Sequence, residues 1–503
     1  MNSKLTNNSW KIFFLFFMIF VLGLSIRIYY IPYELPLTSD AMDNFTFASA
    51  ISYYGTLPSE WSPPFIGWPV FLSFWFSIIN FENTFDTMQI QKILSAVLSV
   101  LIIIPVYLLC RKFFEDKIAL VGAAIFSFDP RIILNSTLGI TEPLFILLGF
   151  SSLVTFLKYD KKMIFFSYLL VVCATIVRSE GVFIFFTITI LFLIKFKFSK
   201  EIIKTLIPCI VIFMIILGPI SIYKIETSGY DGIFQRIAYG TDEILSNTKQ
   251  DGPNQILGGI TLFVKYLGWI MIPILVIFLP LGFIQFLRNR NSETNFVLVY
   301  LIVCSIPIFY AYISQAHDTR YLYILYPIFC LISLFAVKKY ISKIKNQNRI
   351  IGIIIIGILI GSLSFYEYKK MDYQKEIELY KIAEIISKKL SGVNYHPSET
   401  KFIRASELPN EWPFVMIGSG VHEIKIIQTY DSESLEEFIK NSRGNLTHLL
   451  VDNNEDLPEF LHEVYEKGEG IFYLEKEFDS KDAGFNHHIK LFKINFEKFD
   501  LTE

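Results

Sequence analysis

Apolar stretches about twenty residues long recur along this chain, and they constrain it more than any other feature. A helix rises about 1.5 Å per residue, so roughly twenty apolar residues match the ~30 Å hydrocarbon core of a bilayer. Such stretches fall near residues 10–31, 88–109, 118–137, 138–157, 163–178, 182–197, 205–224, 260–286, 296–314, 321–338 and 349–366. The chain is therefore read as an α-helical polytopic membrane protein with about eleven transmembrane helices. Composition agrees: 53% of the 503 residues are hydrophobic, and 49 Phe and 27 Tyr exceed what a soluble core needs. The net charge of -2 comes without a lysine- or arginine-rich stripe, so no nucleic acid partner is expected. All five cysteines (Cys110, Cys173, Cys209, Cys304, Cys330) lie inside apolar stretches, with neither metal-binding spacing nor a disulfide framework. No small-residue cleavage site follows the first stretch, so it reads as a retained signal anchor.

The segment 63–79, PPFIGWPVFLSFWFSII, is apolar but short and interrupted by Pro69. Basic residues decide whether it crosses, because positive loops stay on the cytoplasmic side. If it lies along the membrane and the N-terminus is cytoplasmic, every strong basic cluster falls inside. These clusters are Arg111, Lys112 and Lys117; Lys158, Lys161 and Lys162; Lys195, Lys197, Lys200 and Lys204; Arg288 and Arg290; and Lys338 through Arg349. If it crosses, all of them move outside. The first arrangement is adopted: 63–79 is an interfacial or re-entrant helix, and the C-terminus is extracytoplasmic.

Two domains follow, a membrane domain over 10–366 and an extracytoplasmic α/β domain over 367–503. In the latter, MDYQKEIELYKIAEIISKKL has helical periodicity, and FVMIGSG, EIKIIQT and THLLVD read as strands. DSESLEEFIKNSRG reads as a helix, and HHIKLFKINF as a closing strand. The glycines of 417–420 are not followed by a dinucleotide fingerprint, so they read as a structural turn. His487 and His488 are adjacent and point to opposite faces of a strand, which argues against a shared metal. NFT (44–46), NST (135–137) and NLT (445–447) are glycosylation sequons on the outer side.

Ionisable residues near span ends gather on the outer side. They are Asp40 and Asp43, Asp129 and Arg131, Glu142, Arg178 and Glu180, and His317, Asp318 and Arg320. A charge at bilayer depth costs roughly 3 kcal/mol, so such residues pair, face water or work. Their shared sidedness points to a polar cavity opening outward. Asp40 and Asp43 are spaced to share a helix face, which suits a general base and a helper, or else an acidic helix start capped by Ser39. Glu142 precedes Pro143 in TEPLF, which is equally ordinary helix-start chemistry. Arg178 and Glu180 suit a loop ion pair or a phosphate fork. Arg320 offers a second phosphate clamp, Tyr321 and Tyr323 suit an interfacial aromatic belt, and His317 suits an exposed surface position.

An Asp in the first outer loop, a stretch running to Gly55 and the pair Pro63–Pro64, TEPLF, an Arg-x-Glu-Gly turn and a late Arg-Tyr-Leu segment occur in this order. The arrangement resembles the GT-C superfamily of polyprenyl-phosphate-dependent glycosyltransferases. It lies nearest the branch of dolichyl-phosphate-mannose protein mannosyltransferases and the lipid A aminoarabinose transferase. The resemblance implies that Asp40, with Asp43 as alternative or helper, deprotonates the acceptor. It makes Glu142 a second acid of the same cavity, Arg178 and Arg320 donor-phosphate contacts, and Glu180, His317 and Asp318 accessory positions. It implies as partners a polyprenyl- or dolichyl-phosphate sugar lipid and an acceptor protein, lipid or glycan, within the lipid bilayer of the cell membrane.

The chain also departs from that pattern. Many relatives carry Asp-Glu in the first loop, where Asp40 is followed here by Ala41 and the second acid stands at Asp43. Relatives with a lysine before the proline pair have Ser62 here. The WWDYG motif and Asp-x-Asp metal ligands of oligosaccharyltransferases do not appear, so neither en bloc oligosaccharide transfer, a required metal nor a cofactor is expected. The implied reaction moves a monosaccharide from a polyprenyl monophosphate with inversion. The rivals are a ligase or polymerase of polyprenyl-linked surface glycans and a transporter or flippase. A transporter places its site at the midplane of repeated, interrupted helices, and no repeat is visible here.

Overall fold

The computed structural model describes residues 2–37, 40–59, 62–79, 84–197, 200–232, 253–368, 373–391, 401–405, 425–427, 432–443, 446–453 and 458–501. Ser39, Asn445 and the expected strand and glycine turn at 414–420 lie outside these residues. The chain divides into two compact units, Met1–Ile31, Asp43–Asn80 and Gln89–Lys370 in the first, and Pro32–Met42, Phe81–Met88 and Met371–Glu503 in the second.

The first unit is helical. Among the described residues, six helices are long and apolar enough to cross a membrane: Trp10–Tyr30, Phe85–Phe113, Lys204–Ser228, Ser292–Ile313, Arg320–Ile341 and Gln347–Tyr368. Two bent pairs, Asp116–Phe128 with Pro130–Ser136 at 53° and Gln255–Met271 with Leu275–Arg288 at 113°, raise the number to eight if each is one span. The remaining expected spans are the shorter helices α8 (Glu142–Phe156), α9 (Lys161–Val177) and α10 (Gly181–Phe196). Each of the eleven apolar stretches thus has a helical counterpart, while length and apolarity alone license six to eight crossings. The protein is a multi-pass membrane protein. The segment 63–79 forms α3 (Gly67–Ile78), whose 12 residues reach only about 18 Å, well short of the hydrocarbon core. The stretch 260–286 is not one straight rod: the chain turns sharply at Pro273, which has no N–H to carry a helix onward.

Buried polar side chains shape the bundle. Asp129 ends α6 (Asp116–Phe128) and starts α7 (Pro130–Ser136), its carboxylate accepting the N–H groups of Arg131 and Ile132 while Tyr326 donates its hydroxyl from across the bundle. Arg131 stacks over Trp269 and Phe365. Fully buried Arg27 of α1 (Asn2–Tyr30) donates to the carbonyls of Gly23 (3.0 Å) and Ser127 (2.8 Å) and to Ser99 Oγ (3.2 Å). These bonds offset part of the cost of a guanidinium at depth and tie the first three spans together. Asn44 and Asn135 are buried, which leaves no room for a glycan at either sequon.

The second unit holds a five-stranded mixed sheet ordered β2-β1-β3-β5-β4. The parallel strands are β1 (Lys401–Ala405), β2 (Lys425–Ile427) and β3 (His448–Asp452); β5 (Ile489–Ile494) runs antiparallel between β3 and β4 (Leu474–Asp479). The closing strand read from HHIKLFKINF is therefore interior, and β1 and β4 were not anticipated. Alternation along β3 sends Leu449 and Val451 into one core with Phe438, Leu461 and Phe492. Leu450 joins Leu491 and Ile489 in another, against Leu379, Ile382 and Ile386 of the helix Tyr373–Ser391. Leu35, from the segment after the first span, belongs to that same core.

Candidate functional site

Glu142, Arg178, Glu180, Arg320 and Tyr321 line one cavity in the first unit, of about 30 Å³. Chain geometry explains the meeting. α8 and α9 form an antiparallel hairpin of 15 and 17 residues, so the start of one faces the end of the other. The turn before α8 is fixed by Gly139, whose φ of 76° favours glycine and whose carbonyl accepts from Trp68 Nε1 (3.1 Å) and Gln91 Nε2 (2.7 Å). Thr141 stands at the N-cap and Pro143 in the first turn, which leaves Glu142 as the first helical residue. Gly67 of α3 packs so closely on the Ile176–Val177 backbone that an added Cβ would lie 2.7 Å from the Val177 nitrogen.

Arg178 is the centre of the cluster. Its Nη1 lies 2.8 Å from Glu142 Oε1 and 3.1 Å from Thr141 Oγ1. Its Nη2 and Nε reach Glu180 Oε1 at 2.8 and 3.3 Å. The Phe65 ring sits under the guanidinium at 6.0 Å. The side chains of Arg178 and Glu142 are only 15% and 5% exposed. Thr141 also donates to Glu142 Oε2 (3.3 Å). The guanidinium thus makes four hydrogen bonds to the protein, three of them to the two carboxylates.

Arg320 is held more loosely. Its Nε pairs with Asp318 Oδ2 at 2.8 Å, with side chains 29% and 42% exposed, and a pair that open to water contributes little. Tyr321, expected only as belt, lines the cavity beside it, whereas Tyr323 is buried with its hydroxyl 3.1 Å from Thr319. His317 is exposed.

Asp40 and Asp43 lie on the exposed face of α2 (Asp40–Tyr54), with Ala41, Met42, Asn44 and Phe45 buried on the other. Asp40 opens the helix in the segment that belongs to the second unit, and Asp43 is not among the residues lining the cavity. The cavity therefore gathers Glu142, Arg178, Glu180 and Arg320. Asp129 and Arg131 serve the packing described above.

One cation was not singled out from the sequence. Lys224, buried in α11 (Lys200–Ser228), donates to Ser62 Oγ at 3.0 Å and to the Pro63 carbonyl. A lysine from a distant helix thus reaches the place before the proline pair where this sequence has Ser62. Its one signal is that it is the lone cation of the stretch 205–224. Among the described residues no group of three or more His, Cys, Asp or Glu side chains stands close enough to hold a metal ion.

The fold is similar to that of solved oligosaccharyltransferase and ArnT structures. The sequence model of the family described as dolichyl-phosphate-mannose-protein mannosyltransferase matches residues 62–223, a stretch that contains Glu142, Arg178 and Glu180. No curated protein sequence matches the chain. Among solved structures, an oligosaccharyltransferase of Archaeoglobus fulgidus with Zn and sulfate is similar at TM-score 0.59 and 11% identity, covering 86% of this chain and 68% of that one. The same organism's AglB, in complex with an inhibitory peptide and a dolichol-phosphate, gives 0.55 and 10%, covering 87% and 69%. ArnT of Cupriavidus metallidurans bound to undecaprenyl phosphate gives 0.58 and 9%, covering 95% and 97%.

Proposed function

We propose that this chain is a cell-membrane glycosyltransferase that moves a monosaccharide from a polyprenyl monophosphate donor to an acceptor on the outer face, with inversion. The observation that carries the reading is the buried cluster at one end of the helices, Glu142–Arg178–Glu180 with Arg320 beside it, inside a GT-C fold. The departing polyprenyl phosphate needs its charge stabilised more than it needs a proton, and preorganised cations supply that. Arg320 is the phosphate contact: it lines the same cavity, and its pair with Asp318 is open to water. Arg178, already forked onto two carboxylates, orients Glu142 and contributes its field. Asp40, with Asp43 as alternative or helper, takes the proton of the acceptor hydroxyl. The solved relatives with dolichol-phosphate and with undecaprenyl phosphate support a carrier of this class.

Sidedness follows from the basic clusters: the N-terminus is cytoplasmic and the C-terminal domain is extracytoplasmic. That the segment after the first span shares a core with the C-terminal sheet supports one side for both. The membrane domain spans 10–366 and carries the transfer site, and the outer domain, 367–503, helps to position the acceptor.

The test uses membranes carrying the wild type, Asp40→Asn and Asp43→Asn, supplied with radiolabelled polyprenyl-monophosphate sugars. One or both variants lose turnover by about 10²-fold or more. Full turnover in both removes the base assignment, and consumption of a diphosphate-linked oligosaccharide instead makes the protein a glycan ligase.

A further inference from the structure

A second, larger cavity of about 460 Å³ lies at the other end of the stretch Arg320–Ile341. Arg320 and Lys338 sit near opposite ends of the stretch Arg320–Ile341, separated by about 27 Å at 1.5 Å per residue. That is close to the ~30 Å hydrocarbon thickness, so the two cavities stand at the two membrane boundaries. Arg111, Lys112 and Lys338 line the second one, with Glu115 as its acid, and Phe113, Phe114, Ile118 and Ile341 give it an apolar wall.

The three cations differ in how far they are committed. Arg111 pairs with Asp116. Lys112 turns inward, donating to the Leu157 carbonyl and standing 3.8 Å from Glu293. Lys338 is exposed, lies 5.7 Å over the Phe114 ring, and pairs with no carboxylate among the described residues. A cationic concavity with an aromatic and aliphatic wall, set where a helix leaves the bilayer, selects a molecule that is anionic at one end and apolar at the other.

We propose that this cavity holds the phosphate headgroup of an anionic phospholipid from the leaflet opposite the transfer site. Its volume is in the usual range for a small-ligand site. The apolar wall and the position at the membrane boundary favour a lipid over free phosphate, which would gain nothing from Phe114 or Ile341. Basic pockets between helices at a membrane surface bind lipid headgroups by the same electrostatics.

The full chain, purified in detergent, is given equimolar phosphatidylglycerol and phosphatidylcholine, and retained lipid is counted by native mass spectrometry. Phosphatidylglycerol is retained in preference, Lys338→Gln weakens that retention about fivefold, and millimolar inorganic phosphate does not displace it. Arg111→Gln serves as a second variant, and unchanged melting in phosphatidylcholine shows that each variant is folded. Equal retention of the two lipids, retention unaffected by Lys338→Gln in folded protein, or displacement by millimolar phosphate overturns the proposal.

Discussion

Replacing Arg178 by glutamine tests whether the arginine is there chiefly for its carboxylates. The guanidinium makes its closest contacts at 2.8 Å to both Glu142 and Glu180, and Glu142 is almost wholly out of water. Removing one partner of a buried pair typically costs about 3–5 kcal/mol, because the other charge is stranded. Glutamine retains a donor for Thr141 or one carboxylate, so the lower end, about 3 kcal/mol, is expected for Arg178→Gln. Adding Glu142→Gln removes the stranded charge, leaving Glu180, which is 22% exposed, closer to water. The double variant is therefore expected to regain about 2 kcal/mol relative to the sum of the singles, within the range of coupling between contacting residues. Chemical unfolding of the purified protein, followed by a fluorescent thiol probe at the buried cysteines, gives the four corners of the cycle. A single variant within about 0.5 kcal/mol of wild type, or strict additivity in the double, refutes the assignment of Arg178 as the holder of Glu142.

Gly67→Ala pushes a methyl into the Val177 backbone next to Arg178, and overpacking of this kind costs about 1–3 kcal/mol; thermal inactivation in detergent should fall accordingly, and an unshifted curve counts against the close packing of α3 on α9. In the C-terminal unit, Glu378 accepts from the His487 N–H (2.8 Å) and Asn486 Nδ2 (3.2 Å). Burial works against its charge, but these bonds prevail and hold its pKa below the ordinary carboxylate value. A depressed folded pKa gives stability that is full above the unfolded value and lost as pH falls through the folded one. Glu378→Gln is thus expected to destabilise the unit by about 1 kcal/mol at neutral pH, with the difference closing in acid. Hydrogen exchange of the β5 amides in the full protein measures it, and a pH-independent difference contradicts the reading.

Much of this site was legible because membrane chains advertise their outliers. Charges in apolar stretches are few, so Glu142, Arg178 and Arg320 stood out, and hairpin lengths alone bring the first two together. Physical ambiguity accounts for what was missed. Asp129 reads as a cavity acid in the sequence, but a carboxylate before a proline serves equally to start a helix, and here it caps one. Arg27 and Lys224 passed unnoticed because a lone cation near a span end also satisfies interfacial anchoring. Their carbonyl and hydroxyl partners, Gly23, Ser99, Ser127, Ser62 and Pro63, lack any chemical mark in the sequence. The bend at Pro273 is hidden because hydrophobicity continues through it, while the turn depends on how the two halves pack. In the C-terminal unit, β1 and β4 escaped because charged residues interrupt them, whereas β3 carries the unbroken apolar run Leu449–Val451.

The central claim is that Arg320, beside the Glu142–Arg178 pair, receives the phosphate of a lipid-linked sugar. The most direct measurement is the affinity of a polyprenyl monophosphate for the full chain in nanodiscs, compared for wild type and Arg320→Gln. Arg320→Gln should weaken binding about tenfold or more, by loss of a charge-assisted contact. Equal affinity in wild type and Arg320→Gln would place the carrier elsewhere and contradict the account.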